Sequence, residues 1–236
     1  VAIAVSKALR SAWESTAQIV HRDIKPSNIM ISYSSSLISA KQGGGDVTES
    51  GAFIDIDIKE ARVKVMDFGL AKVVVADQKD ATLVGTVIGT PKYISPEQGL
   101  GNPADIRSDI YSLGIVMYEM STGRLPFASD NAISLIRSHI YDQALPPSQF
   151  NPDVPKNLES VIMNCIQKDP NHRYGNPVEL LTDLEAVKRD QTPLYAQQTM
   201  ANLGATMLAR PGARPKNKML IIGGIAVAIL AIAVGG

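Results

Sequence analysis

Three short motifs, in a fixed order along the chain, restrict the possible folds of this sequence more than any other feature. Residues 21–28 read His-Arg-Asp-Ile-Lys-Pro-Ser-Asn, residues 67–69 read Asp-Phe-Gly, and residues 95–97 read Ser-Pro-Glu. One such motif is weak, because Asp and Asn often do no more than stabilise turns. Three motifs in order indicate that side chains far apart in sequence serve one site.

The first two motifs match the H-R-D-x-x-x-x-N and D-F-G patterns of protein kinases. On these residues the sequence resembles the eukaryotic-like, Hanks-type serine/threonine protein kinases, and in particular the membrane-anchored bacterial ones. The resemblance implies a protein-kinase C-terminal lobe over residues 1–189. This is an α+β fold, mainly α with a small β hairpin, and a single transmembrane helix is expected after it.

The resemblance also assigns the site residues, and phosphoryl transfer needs these residue types. A hydroxyl nucleophile needs a carboxylate that orients it and takes its proton, a role that the resemblance gives to Asp23. Lys25 is expected beside the γ-phosphate of ATP. Asn28 and Asp67 carry the hard oxygen ligands that Mg²⁺ prefers, with Mn²⁺ as an alternative. The expected reaction is ATP-dependent phosphorylation of Ser and Thr hydroxyls in protein substrates.

Residues 67–97 correspond to the activation segment of the family. Thr82 and Thr86 are the expected autophosphorylation sites, and Thr90 corresponds to the threonine that contacts the catalytic aspartate. A phosphate adds nearly two negative charges and can order a loop by pairing with arginine. Arg22 is the expected partner, and a dimer is one arrangement that allows autophosphorylation. The alternative is a segment whose threonines have no regulatory role.

Two further positions are expected to hold the lobe together rather than to react. In relatives the glutamate of the third motif pairs with a distant arginine, and Glu97 and Arg173 match that pair. Breaking such a buried pair from one side costs about 3–5 kcal/mol. Asp109 matches the aspartate that ties the backbone of the catalytic loop in place.

Hydrophobic periodicity predicts the remaining elements. Apolar residues at i, i+3, i+4 spacing predict a helix over residues 1–20. Strands are expected at 29–31 and 63–66, and a buried helix from residue 105 to about 122 with Gly123 as its cap. Further helices are predicted near residues 133–140, 158–167 and 177–188.

One segment departs from the family pattern. Hairpin loops are commonly 2–5 residues, but here about thirty residues, roughly 33–62, separate the two predicted strands. The Ser and Gly runs in its first half are typical of a flexible linker, and alternation over residues 53–59 suggests an extended strand. The sequence assigns no role to this insertion.

The composition changes after Asp190. Residues 191–218 have no acidic residue, and four bases lie near their end, so a basic flexible juxtamembrane linker is expected over 190–218. Residues 219–236 are apolar, and a spanning helix needs about 20 residues, which predicts a truncated transmembrane helix; a buried soluble helix is the alternative. The bases on its N-terminal side place the kinase lobe in the cytoplasm.

Composition excludes some classes of function. The formal net charge is zero, so nothing indicates a nucleic-acid-binding surface. The single cysteine, Cys165, excludes an internal disulfide and lies in an apolar run, which predicts a buried structural thiol.

Some kinase elements are not found in this sequence. No glycine-rich phosphate loop, strand lysine or paired helix glutamate precedes residues 21–28, the catalytic motif. We therefore expect a fragment without the N-terminal lobe, and we expect it to be weakly active or inactive alone. A pseudokinase or membrane-anchored scaffold is the main alternative, although Asp23, Lys25, Asn28 and Asp67 are all retained. A small-molecule kinase is a third reading, which the Ser-Pro-Glu motif disfavours.

Overall fold

A computed structural model gives the structure of the protein and describes residues 1–32, 62–68 and 91–198. The described helices are α1 (Ala2–Trp13), α2 (Pro96–Gly99), α3 (Ile106–Thr122), α4 (Ala132–Tyr141), α5 (Lys156–Cys165) and α6 (Pro177–Lys188). Two strands, β1 (Ile29–Ser32) and β2 (Arg62–Val65), pair antiparallel with Ile29 opposite Val65. The predicted mainly helical fold with a small antiparallel sheet is therefore confirmed.

Helix α3 lies at the centre of the core and packs against α1, α5 and α6. Asp105 caps its N-terminus by accepting the Arg107 N–H, and Gly123 ends it in the left-handed region at φ 71°. Glycine tolerates this conformation at little steric cost. Gly114 permits a close crossing with α5, because a Cβ there would lie 2.6 Å from the Cys165 Cβ. Cys165 itself is fully buried, and burial raises the pKa of its thiol.

The first helix is shorter than predicted. Periodicity predicted a helix over residues 1–20, but α1 ends at Trp13. The Ala12 carbonyl accepts hydrogen bonds from Ser15 Oγ at 2.6 Å and from the Ile19 N–H at 3.1 Å. Gln18 adopts a positive φ of 44°, so the chain reverses before the catalytic motif. Local hydrogen bonding by a serine side chain competes here with continued helix.

Several predicted segments lie outside the described residues. They are the insertion up to residue 61, the activation-segment positions 69–90 and the apolar run at 219–236. Among the described residues, no helix combines the length and the apolar character needed to cross a membrane. Residues 190–198, at the start of the predicted flexible linker, are described, and 194–198 are helical.

His139 on α4 gives the lobe an acid-sensitive position. It is fully buried, and its Nδ1 lies 3.0 Å from the Tyr111 hydroxyl oxygen. Burial, with Lys168 nearby, lowers its pKa from 6.5 to about 4. Below pH 6.5 the unfolded chain therefore binds a proton that the folded chain does not bind until about pH 4. Stability that is fully present above pH 6.5 should be lost as the pH falls through this window.

We predict that this histidine costs up to about 3 kcal/mol of stability near pH 4. His139→Gln should make the dependence of unfolding free energy on pH shallower by one proton between pH 6.5 and 4. Denaturant titrations across this range measure the slope, with His172→Gln, at a partly buried position, controlling for the loss of an imidazole. An unchanged slope in His139→Gln would contradict the prediction.

Candidate active site

The catalytic motif is held by a buried carboxylate on α3. The backbone N–H groups of His21 and Arg22 donate to Asp109 Oδ2 and Oδ1, both at 2.7 Å. Asp109 is fully buried. Burial raises its pKa to about 7, while the two N–H groups act in the opposite direction by stabilising the carboxylate. Arg22 takes a positive φ of 67°, so these bonds hold an unusual backbone turn in place.

Beyond this turn, Asp23, Lys25 and Asn28 lie in mutual contact. Asn28 Nδ2 donates to the Asp23 backbone oxygen at 2.8 Å and to Asp23 Oδ2 at 3.1 Å. Lys25 Nζ lies 2.8 Å from the same Oδ2. The Asp23 side chain keeps about a third of its surface exposed, whereas Asn28 is buried. A carboxylate, an ammonium and an amide are thus brought together, and the carboxylate remains open to solvent.

Two contacts of the Met66 backbone join the residue that precedes Asp67 to this loop. The Met66 N–H donates to the Asn28 carbonyl at 2.9 Å, and His21 Nε2 lies 2.7 Å from the Met66 carbonyl oxygen. The His21 ring also meets Phe68 edge-on, with centroids 4.7 Å apart. Asp67 is exposed and has φ 58°.

His21 is the functional residue that sequence reasoning missed. The motif contains it, but spacing alone assigned it no role. Its ring contacts the backbone of Met66 and the ring of Phe68, so it joins the first motif to the second. Only the tertiary contact, across 45 residues of sequence, reveals this function.

The third motif is tied to the rest of the lobe by an ion pair. Arg173 donates to both Glu97 oxygens at 2.8 Å, and Ser108 Oγ donates to Oε1 at 2.6 Å. Burial alone would raise the pKa of Glu97, but Arg173 and Ser108 lower it to about 2. Arg173 also donates to the backbone oxygens of Arg107, Gln167 and Lys168. Every side of its guanidinium therefore has an acceptor.

Helix α2 connects this pair to the catalytic motif. Ser95 and Gln98 form a capping box at its start, in which each side chain satisfies a backbone N–H of the other. Gln98 Nε2 donates in addition to the Arg22 carbonyl at 2.9 Å. Tyr93, just before the helix, donates to Glu119 at 2.7 Å, and its carbonyl accepts from Ser112 at 2.7 Å. The backbone just before Asp23 is thereby linked through α2 and Tyr93 to α3.

The predicted regulatory threonines, Thr82, Thr86 and Thr90, lie outside the described residues. The Arg22 side chain is exposed beside Asp23. Across the described ranges no group of three or more His, Cys, Asp or Glu side chains could hold a metal. The predicted metal ligands, one amide and one carboxylate, are not a group of that kind.

The sequence model of the protein kinase domain family matches residues 1–184 of the chain. The chain belongs to the protein kinase family. The match takes in the catalytic motif, Asp67, Glu97, Asp109 and Arg173, and it ends within α6.

Individual relatives of the chain carry the names of serine/threonine-protein kinases. The kinase chain is 40% identical over 186 residues to a probable serine/threonine-protein kinase of Clostridium acetobutylicum. This match covers 79% of this chain and 24% of that protein. It is 36% identical over 195 residues to the serine/threonine-protein kinase PknB of Mycolicibacterium smegmatis, over 83% of this chain and 27% of PknB. The chain spans about a quarter of the length of these relatives.

A solved structure supports the fold. A crystal structure of Rad53 in complex with AMP-PNP superposes on the kinase chain with a TM-score of 0.53 at 22% identity, over 78% of this chain and 38% of the crystallised Rad53 chain. At this identity the similarity concerns the fold alone. It agrees with the predicted protein kinase fold.

Proposed function

We propose that the protein containing this chain transfers the γ-phosphoryl group of ATP to Ser and Thr hydroxyls of other proteins. The observation that carries the proposal is the contact among Asp23, Lys25 and Asn28 on a backbone turn fixed by Asp109. A loop that only capped a turn would not need a buried carboxylate from another helix to hold it. The serine/threonine kinase relatives point to the same substrate class.

In this proposal Asp23 orients the substrate hydroxyl and receives its proton as the oxygen–phosphorus bond forms and the bond to ADP breaks. Its position suits the role, because the carboxylate is partly exposed and is fixed by Asn28 Nδ2. Lys25, 2.8 Å from Asp23 Oδ2, is placed to balance the charge that develops on the transferred group. Positioning and electrostatic stabilisation are the main contributions a protein makes to this reaction.

Bound Mg²⁺ would neutralise the phosphates of ATP. The described residues fit this ion, since the amide nitrogen of Asn28 is committed to Asp23 and leaves its oxygen as the ligand atom. The exposed carboxylate of Asp67 is a second hard oxygen ligand of the kind that Mg²⁺ and Mn²⁺ bind. We therefore assign Asn28 and Asp67 as metal ligands and Lys25 as a contact of the nucleotide.

The direct test is a transfer assay with radiolabelled ATP, using the complete protein and a mixture of protein substrates. We expect label on serine and threonine, and loss of transfer when EDTA removes the metal. The chain of 236 residues should transfer weakly or not at all, because it contains no glycine-rich phosphate loop. A complete protein that binds partners but transfers no phosphate would favour the pseudokinase or scaffold function.

We further propose that phosphorylation of Thr82 or Thr86 activates the enzyme by pairing with Arg22, whose side chain is exposed beside Asp23. Thr90 is proposed to help select Ser and Thr substrates. Phosphopeptide mapping of an active preparation should find Thr82 or Thr86 modified. Finding neither of them modified in an active enzyme would reject this regulation. Dependence of the modification on protein concentration would report whether a dimer performs it.

The apolar run 219–236, with the bases of 190–218 before it, is the basis for proposing a single-pass membrane protein with a cytoplasmic kinase lobe. Protease added to the outside of intact cells should leave the lobe uncut, and the protein should sediment with membranes. Recovery in the soluble fraction would contradict the anchor and leave the kinase proposal standing.

A further inference from the structure

Asp183 on α6 is a buried carboxylate that the proposed reaction does not use. It has no exposed surface. Its Oδ1 accepts the N–H groups of Leu194 at 2.8 Å and Tyr195 at 3.2 Å. Its Oδ2 accepts the Ala196 N–H at 2.9 Å and the Tyr174 hydroxyl at 3.0 Å. Four donors therefore converge on one side chain in the core.

Three of these donors lie beyond the end of the kinase-domain match at residue 184. After α6 the chain turns back, with the Gln191 N–H donating to the Ala186 carbonyl at 2.8 Å. Asn157 Nδ2 on α5 donates to the Gln191 carbonyl at 3.3 Å. Ala196 is fully buried, and Tyr195 packs against the core. The segment 191–196 is thus packed on both α5 and α6.

The backbone N–H groups of residues 194–196 explain why a carboxylate stands at position 183. Residues 194–198 are helical, and the first N–H groups of a helix have no partner within it. A side-chain oxygen of the preceding residue usually accepts one of them, but Pro193 offers no such oxygen. Asp183 accepts three, and its negative charge suits the positive end of the helix.

We propose that Asp183 is the binding site of a docked segment, residues 191–196, which makes the start of the juxtamembrane region part of the kinase lobe. The ligand of this site is the set of backbone N–H groups at 194–196 of the same chain. Docking fixes where the chain leaves the lobe. The docked segment then shortens the predicted linker between the kinase match and the apolar run from residues 190–218 to residues 197–218.

Hydrogen exchange of the complete protein, read by mass spectrometry, tests the docking. The amides of Leu194, Tyr195 and Ala196 should exchange at least about 100-fold more slowly than unstructured amides. In Asp183→Asn this protection should fall at least about tenfold. The asparagine side chain has only one acceptor oxygen, and its NH2 group would face the backbone N–H groups, which are also donors. Amides of α3 in the same sample show whether the lobe remains folded.

A second pair of variants keeps the test decisive if Asp183→Asn unfolds the lobe. Leu194→Pro removes one donor at a position where proline is tolerated, and it leaves the Asp183–Tyr174 contact in place. Leu194→Ala keeps the donor while removing the same half-exposed side chain. Docking predicts faster exchange at Tyr195 and Ala196 in the proline variant only. Equal protection in both variants, or free exchange of residues 194–196 in the wild type, would overturn the proposal.

Discussion

Replacing Arg173 with alanine should lower the free energy of unfolding by about 3–5 kcal/mol, the largest stability loss we expect from a single change. The variant would leave the Glu97 carboxylate buried and without its guanidinium partner. It would also leave the backbone oxygens of Arg107, Gln167 and Lys168 without their donor. Calorimetry or denaturant titration measures the loss, which corresponds to a melting temperature lower by about 6–20 °C.

Arg137→Ala is the matched control, since Arg137 is an exposed arginine on α4 and its loss should cost less than about 0.5 kcal/mol. The double variant Glu97→Ala, Arg173→Ala should lose less than the sum of the two single variants, because the two side chains share their contacts. A stability of Arg173→Ala within about 1 kcal/mol of the wild type would show that the ion pair does not hold α2 to the lobe.

Replacing Asp23 with asparagine in the complete protein should lower the turnover number by about 10²–10⁴-fold, the range typical of losing a general base. Asparagine keeps the size of the side chain and removes its ability to take a proton. The fold should be nearly unaffected, because the Asp23 backbone oxygen, which Asn28 also contacts, remains. Transfer of radiolabelled phosphate, measured beside the melting temperature, separates catalysis from stability.

Asp130→Asn is the control for Asp23→Asn. Asp130 is exposed in the turn before α4, so its replacement should leave turnover unchanged. The affinity for ATP should also change little in Asp23→Asn, since the proposed nucleotide contacts are Lys25, Asn28 and Asp67. If Asp23→Asn retained wild-type turnover, Asp23 could not be the residue that accepts the proton.

The close arrangement of Asp23 and Asn28 follows from the first motif, because that motif is a short peptide with a demanding shape. Asp23 and Asn28 are five residues apart, so their contact is nearly a property of the loop itself. The contact between Glu97 and Arg173 spans 76 residues and was expected only from the resemblance to kinases. Periodicity also predicted α3 well, where Asp105 and Gly123 mark both ends.

Prediction was weaker where tertiary contacts or side-chain hydrogen bonds decide the structure. The apolar stripe of the first helix continues past Trp13, but Ser15 and Ile19 use the Ala12 carbonyl and stop it. The carboxylate of Asp183 gave no sequence signal, because three of the four groups it binds are backbone N–H groups 11–13 residues away. Backbone donors have no residue identity, so no pattern of side chains reveals them.

We propose that Asp23, Asn28 and Asp67 form one phosphoryl-transfer site. Anomalous scattering from Mn²⁺ in crystals of the complete kinase domain with a non-hydrolysable ATP analogue tests it most directly. We predict a metal bound by Asn28 Oδ1 and an Asp67 carboxylate oxygen at about 2.1 Å, with Asp23 facing the γ-phosphate. A metal and nucleotide bound by other residues, with Asn28 and Asp67 turned away, would contradict the account.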